Sequence, residues 1–166
     1  MLKNTKTKNT KTKIQKILTF SIKGMSEKST PTIACVSGYF DPIHIGHIEY
    51  FKMSKKIADK LLIIVNNDEQ AILKKGKAFM PADERIKIIQ ELKCVDYVVK
   101  SIDTDRTVCK TLETVEPRPT YFCNGGDQNN NSIPEAKICQ ELGIELRDGF
   151  GDKIQSSSWL IKGKKD

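Results

Sequence analysis

Gly38-Tyr39-Phe40-Asp41-Pro42-Ile43-His44-Ile45-Gly46-His47 holds both histidines of the 166-residue chain, three residues apart around a glycine. The apolar run Ile33–Val36 precedes this stretch and reads as a buried strand. Ile45–Lys60 follows it and reads as a helix, with Ile48, Phe51, Met53, Ile57 and Ala58 on its inner face. A strand, a glycine-containing loop and a helix in that order make a phosphate-binding junction, because helix N-terminal amides and the helix dipole favour an anion. Gly38 permits close backbone approach, and Pro42 stiffens the turn. If the helix starts near them, His44 and His47 share one face. Imidazoles placed there donate hydrogen bonds to phosphate, more strongly when protonated. Two surface histidines on an ordinary helix are the plainer alternative. The coincidence of both with Gly46 at a strand–helix junction favours the phosphate site.

The alternation continues along the chain. Leu61–Val65 reads as a second buried strand. Pro81 opens a helix with Asp83 and Glu84 in its first turn and Ile86, Ile88, Ile89 and Leu92 inward. Tyr97–Val99 is a third strand. Arg106–Val115 is expected to be helical, with Val108, Leu112 and Val115 inward. Thr120–Cys123 is a fourth strand, Pro134 to about Gly143 a helix, Ile144–Leu146 a fifth strand, and Ser156–Lys162 a short helix. Strands separated by helices imply an α/β fold: a Rossmann-like, three-layer structure on a five-stranded parallel sheet. Ligands in such sheets bind beyond the carboxyl ends of the strands, where the loops at 38–47 and 124–131 fall.

Composition narrows the function. Residues 1–30 carry eight lysines and one acid, Glu27, which accounts for the whole +7 net charge. The body from residue 31 to 166 is neutral, against a nucleic-acid-binding domain with a basic folded surface. Residues 1–30 are expected to form a disordered Lys/Thr/Asn tail, with Ile14, Ile17, Leu18, Phe20 and Ile22 as an apolar patch; a targeting segment or a tether are the alternatives. The five cysteines have no CxxC spacing and read as reduced thiols in a cytoplasmic protein. No apolar run reaches the roughly 20 residues that span a bilayer.

Gly38–His47 resembles the HxGH signature of the cytidylyltransferase-like nucleotidyltransferases. Further segments agree in order. Lys75-Gly76-Lys77 and Pro81-Ala82-Asp83-Glu84-Arg85 resemble the corresponding segment of glycerol-3-phosphate cytidylyltransferase and ADP-heptose synthase. Val95-Asp96-Tyr97-Val98-Val99 resembles the family's Val-Asp-x-Val-Val strand, and Asn124-Gly125-Gly126-Asp127 its Gly-Gly-Asp loop. Lys153-Ile154-Gln155-Ser156-Ser157-Ser158 stands where the family has Arg-x-x-Gly-Ile-Ser-Thr-Thr. Here lysine keeps the charge without the bidentate fork, and the serines keep the hydroxyls.

The resemblance implies transfer of a nucleotidyl group from CTP, or ATP, to a small phosphorylated alcohol or sugar phosphate, with release of pyrophosphate. It implies catalytic roles for His44, His47, Lys75 and Lys77. Gly38, Tyr39, Phe40, Asp41, Gly46, Asp127, Ser156, Ser157 and Ser158 are expected to bind the nucleotide, and Arg85 and Lys153 the acceptor. The Lys74–Lys77 run is expected to be a mobile lid. Magnesium is expected on the triphosphate oxygens, with no dedicated protein metal site and Asp41 as the one candidate contributor. The implied partners are the two substrates and a second copy of the chain, with neither nucleic acid nor membrane. A non-catalytic nucleotide-binding module and a nucleic-acid-associated protein using its lysine tail are the competing readings. Removing residues 1–30 should leave pyrophosphate release at the full-length rate; the tail-dependent reading instead requires nucleic-acid binding that disappears with the deletion.

Overall fold

The computed structural model describes residues 29–125, 133–151 and 154–163. Described residues from Pro31 onward belong to one compact unit. Its strands are β1 (Ile33–Gly38), β2 (Lys60–Val65), β3 (Tyr97–Lys100), β4 (Tyr121–Gly125) and β5 (Glu145–Phe150). Its helices are α1 (Ile45–Lys55), α2 (Asp68–Lys75), α3 (Ala82–Gln90), α4 (Cys109–Thr114), α5 (Ala136–Leu142) and α6 (Ser157–Lys162). The five strands form one sheet in the order β3-β2-β1-β4-β5, and every pairing is parallel. The Rossmann-like α/β expectation therefore holds.

The central strands are apolar on both faces because both faces are covered. Along β1, Ile33 and Cys35 face one core while Ala34 and Val36 face the other; Leu62 and Ile64 alternate with Leu61, Ile63 and Val65 in the same way on β2. Leu112, Ile138 and Cys139 close the first core from α4 and α5, and Phe51 and Ile89 close the second from α1 and α3. The chain builds β2 and β3 on one side of β1, then β4 and β5 on the other. The order reverses between β1 and β4, and their carboxyl ends are where such sheets open a crevice.

Several boundaries differ from the sequence reading, each for a local reason. Helix α1 ends at Lys55 rather than Lys60. The Asp59 carboxylate accepts from the Thr32 amide and hydroxyl, both at 2.8 Å, and draws the chain out of the helix into β2. Met53 and Ile57, expected inside, are 36% and 38% exposed, and Ser54 is buried in that turn instead. Helix α4 starts at Cys109 rather than Arg106, because Asp103 accepts from the Lys110 and Thr111 amides at 2.8 and 3.0 Å. Arg106 and Thr107 are thereby left in a loop.

Helix α2 was not expected. Its signals are an Asn67–Gln70 capping box and Gly76 at φ 83°, a left-handed C-cap that glycine adopts without strain. Lys74 and Lys75 thus occupy the last turn of a helix rather than a mobile loop. On α3 the inward residues are Ala82, Arg85 and Ile89, while Ile88 is 40% exposed.

Candidate active site

Gly38, Tyr39, Phe40, His44, Gly46, His47, Lys75, Ser156, Ser157 and Ser158 converge on one cavity of about 510 Å³ at the carboxyl edge of the sheet. The sequence reading had picked out all ten. Ser37, Tyr50, Lys74, Gly125, Phe150, Gly151 and Gln155 also line it and had not been assigned there. Tyr50 was legible in principle: it continues the three-residue spacing of His44 and His47 along α1.

His44 caps α1 in an extended conformation, and its backbone N–H donates to His47 Nδ1 at 3.3 Å. The two rings stack with centroids 3.6 Å apart and planes 20° apart. Phe40 meets His47 edge-on at 5.0 Å. Burial, then the neighbouring His44 and Lys75, holds the His47 pKa at about 3, and burial also lowers that of His44. Both rings are therefore neutral near pH 7 in the free protein. Because His47 Nδ1 accepts a hydrogen bond, its proton is assigned to Nε2, leaving an N–H to donate.

Two glycines make this arrangement fit. A Cβ on Gly38 would stand 2.7 Å from the Phe40 ring, which folds back over it from a residue at φ 49°. A Cβ on Gly46 would stand 3.1 Å from the His44 ring, so Gly46 makes room for the imidazole itself.

Lys75 Nζ donates to the Asp41 carbonyl at 2.8 Å and lies 3.8 Å from its carboxylate. Burial lowers the Lys75 pKa, and Asp41 opposes the shift. Asp41 itself is 0% exposed, with its carboxylate oxygens accepting from the Phe79 and Met80 amides at 2.9 and 2.7 Å. Those two oxygens are committed to the backbone, so the expectations that Asp41 touches the nucleotide or a metal do not fit its geometry. Among the described residues no group of three metal-ligating side chains is present.

Arg85, expected to reach an acceptor phosphate, is 0% exposed. Its guanidinium donates to the Met80, Tyr39 and Asn66 carbonyls at 2.9, 2.6 and 2.9 Å and to the Asp68 carboxylate at 2.7 Å. The cation sits beneath the site and braces it. Lys77 lies exposed beyond the C-cap of α2 and does not line this cavity. Asp127 and Lys153 lie outside the described residues. On the serine segment, Ser156 Oγ accepts from the Ser158 amide at 3.2 Å as the cap of α6, and Ser157 Oγ donates to the Pro42 carbonyl at 2.9 Å. The second bond ties the serine segment to the histidine loop.

The bracing role of Arg85 gives a stability expectation. Arg85→Ala strands buried carbonyls and should cost about 3 kcal/mol or more in chemical denaturation. Arg85→Lys should not restore it, since an ammonium cannot reproduce the planar fork. The histidines give a pH expectation. An unfolded His47 protonates near its ordinary 6.5 and the folded one near 3, so stability should decline as pH falls through that window. By NMR the His47 ring should not titrate between about pH 8 and about 5 in the free protein, and its pKa should rise when a triphosphate binds.

The cytidylyltransferase-like family model matches residues 35–156. The chain is 40% identical over 131 residues to FAD synthase of Methanocorpusculum labreanum, covering 75% of this chain and 89% of that protein. It is 34% identical to FAD synthase of Thermoplasma acidophilum, covering 76% and 89%. It is 33% identical over 140 residues to the bifunctional protein HldE of Blochmanniella floridana, covering 82% of this chain and 28% of that longer protein. Among solved structures, the lipopolysaccharide core biosynthesis protein of Thermoplasma volcanium superposes with a TM-score of 0.61 at 29% identity, covering 72% and 96%. Cavity, strand order and sequence match agree: the chain belongs to the cytidylyltransferase-like family and is a nucleotidyltransferase.

Proposed function

We propose that this protein transfers a nucleotidyl group from a nucleoside triphosphate to the phosphate of a small phosphorylated alcohol or sugar. The stacked His44–His47 pair carries the reading, because it places two neutral imidazoles on the wall of a cavity that also holds Lys75 and the Ser156–Ser158 hydroxyls. That wall suits a triphosphate. A phosphate oxygen of the acceptor bonds to the α-phosphorus, the bond from that phosphorus to the bridging oxygen breaks, and pyrophosphate leaves with the bridging electrons. The attacking oxygen is already ionised, so no general base is required. The protein contributes alignment and charge stabilisation.

In this reading His47 Nε2–H donates to the triphosphate while His44 packs against it. Lys75, steadied by Asp41, neutralises charge on the phosphates. Ser156–Ser158 supply hydroxyls at the far wall. Lys77, Asp127 and Lys153 keep the roles that the family resemblance implies: charge neutralisation on the phosphates, nucleotide binding and acceptor binding. Magnesium would be held by the triphosphate's own oxygens and would help neutralise their charge, since Asp41 is buried and does not line the cavity.

The donor is proposed to be ATP rather than the CTP favoured by sequence motifs. The relatives called FAD synthase support this choice, since FAD is flavin mononucleotide carrying an adenylyl group on its phosphate. Pyrophosphate release should require ATP, magnesium and a phosphorylated acceptor together. The acceptor panel should include flavin mononucleotide, hexose 1-phosphates and glycerol 3-phosphate, each against ATP and CTP. His47→Ala should lower kcat by about a hundredfold while remaining folded. A folded His47→Ala protein with full turnover would sink the catalytic assignment, and nucleotide binding without turnover on any acceptor would favour the non-catalytic module.

A further inference from the structure

Two lysines stand over the ring of Tyr39. Lys74 Nζ lies 4.3 Å from its centroid and Lys75 Nζ 5.7 Å. The Arg106 guanidinium stands beside the hydroxyl of the same residue, close to it but without the alignment of a hydrogen bond. Three cations therefore meet one aromatic side chain. Tyr39, Lys74 and Lys75 all line the histidine cavity, while Arg106 lines an adjoining hollow of about 450 Å³ that shares Tyr39 and Lys74 with it.

Two of the three cations are tied in place by other groups. Lys75 has the Asp41 carboxylate 3.8 Å away. Arg106 rides on a loop that α2 and its cap hold by the backbone. Asn67 Nδ2 donates to the Ser101 and Asp103 carbonyls at 3.0 and 2.9 Å, and Gln70 Nε2 donates to the Asp105 and Thr107 carbonyls at 2.6 and 2.7 Å. Gln70 is fully buried, so this clamp is shielded from water. Lys74 has no such tie: among the described residues it forms no salt bridge and no hydrogen bond. Desolvation lowers its pKa, and the charges of Lys75 and Arg106 lower it further. A lysine between two cations turns out into water unless something favours it where it stands.

The face of Tyr39 is what favours it, because the negative face of an aromatic quadrupole attracts a cation. The ring is itself held. Arg85 donates to the Tyr39 carbonyl at 2.6 Å, and Phe40, at φ 49°, folds back over Gly38 immediately after it. The hydroxyl oxygen at the far end of the ring is buried. A pinned backbone at one end and a buried tip at the other leave the ring one place to stand.

We propose that Lys74 is a second cation for the triphosphate, beside Lys75, and that Tyr39 is its positioning residue: the ring face keeps the ammonium on the cavity wall against the repulsion of Lys75 and Arg106. The inference rests on the transferase reading above and deepens it. Like charges gathered before binding are relieved when a polyanion arrives. A lysine already in place loses little freedom at that moment, which raises affinity. Tyr39 then acts on the nucleotide through a lysine, by its ring and not by its hydroxyl.

Calorimetric titration of the full-length chain tests this, using the magnesium complexes of ATP and CTP as probes. The tighter of the two is the reference, and its monophosphate is the control. Lys74→Gln should weaken the triphosphate at least about fivefold and the monophosphate less than about twofold. Tyr39→Phe keeps the ring face and should stay within about twofold of the native chain. Tyr39→Leu keeps the apolar bulk without the quadrupole and should weaken the triphosphate about threefold. In the Lys74→Gln background, Tyr39→Leu should weaken it no further, since its effect passes through the ammonium. Lys74 is exposed, so Lys74→Gln should fold even if Tyr39→Leu does not. An unchanged triphosphate affinity in Lys74→Gln or in folded Tyr39→Leu, equal weakening of the monophosphate, a loss in Tyr39→Phe above about twofold, or an additive loss in the double variant would each overturn the proposal. Pyrophosphate release separates it from the reading beneath it. A chain that binds the triphosphate through Lys74 in this pattern yet releases no pyrophosphate would keep the Lys74 assignment and overturn the transferase reading. Turnover that falls in His47→Ala, with a KM for the triphosphate unmoved by Lys74→Gln, would keep that reading and overturn this one.

Discussion

The buried guanidinium of Arg85 is the interaction on which the rest of the site depends. From α3 it reaches the carbonyls of Tyr39 at the end of β1, Asn66 at the end of β2 and Met80 before its own helix, and closes on the Asp68 carboxylate at the start of α2. Backbone carbonyls at strand ends would otherwise point into a dry interior without donors. A planar fork with five N–H groups satisfies several at once, which no apolar side chain and no ammonium can do. Asp41 works in the opposite sense, as a buried acceptor for the Phe79 and Met80 amides. Together they fasten the histidine loop to the segment that follows α2, which fixes where Lys74 and Lys75 stand.

The division of charge in the cavity follows from this packing. The imidazoles are pressed against one another and against Phe40, and burial keeps them neutral. Two imidazolium rings at this separation, beside Lys75, would repel. Fixed positive charge therefore comes from lysines held by Tyr39 and Asp41, while the histidines offer oriented N–H dipoles. Such groups need little rearrangement when negative charge develops, which is the condition for electrostatic stabilisation to lower a barrier.

Much of the fold was legible because its signals are local. The apolar runs of β1 and β2, the helix opened after Pro81 and the glycine stop at Gly143 depend on neighbouring residues alone. Helix α2 went unread because its apolar pattern is weak and its Asn67–Gln70 box was hidden in a polar run. The start of α4 was misplaced because Asp103, which caps it, also bonds Ser101 in the turn before. The inward face of α3 misled for a different reason. Periodicity assigns arginine to solvent, and only the unpaired carbonyls of distant segments make a buried Arg85 favourable.

By itself the sequence determined the alternation of strands and helices, the parallel sheet and the family to which the HxGH stretch belongs. It also placed most of the histidine cavity, since those residues sit in three short segments that end at the same edge of the sheet. Only the tertiary structure decided the role of each charged side chain. Arg85 braces and Arg106 faces a cavity; Asp41 holds backbone amides; Lys75 lines the site while Lys77 does not. The physical reason is that a side chain's electrostatic role is set by burial and by partners tens of residues away. Secondary structure answers to residues a few positions apart, and a charge answers to whatever the fold brings beside it.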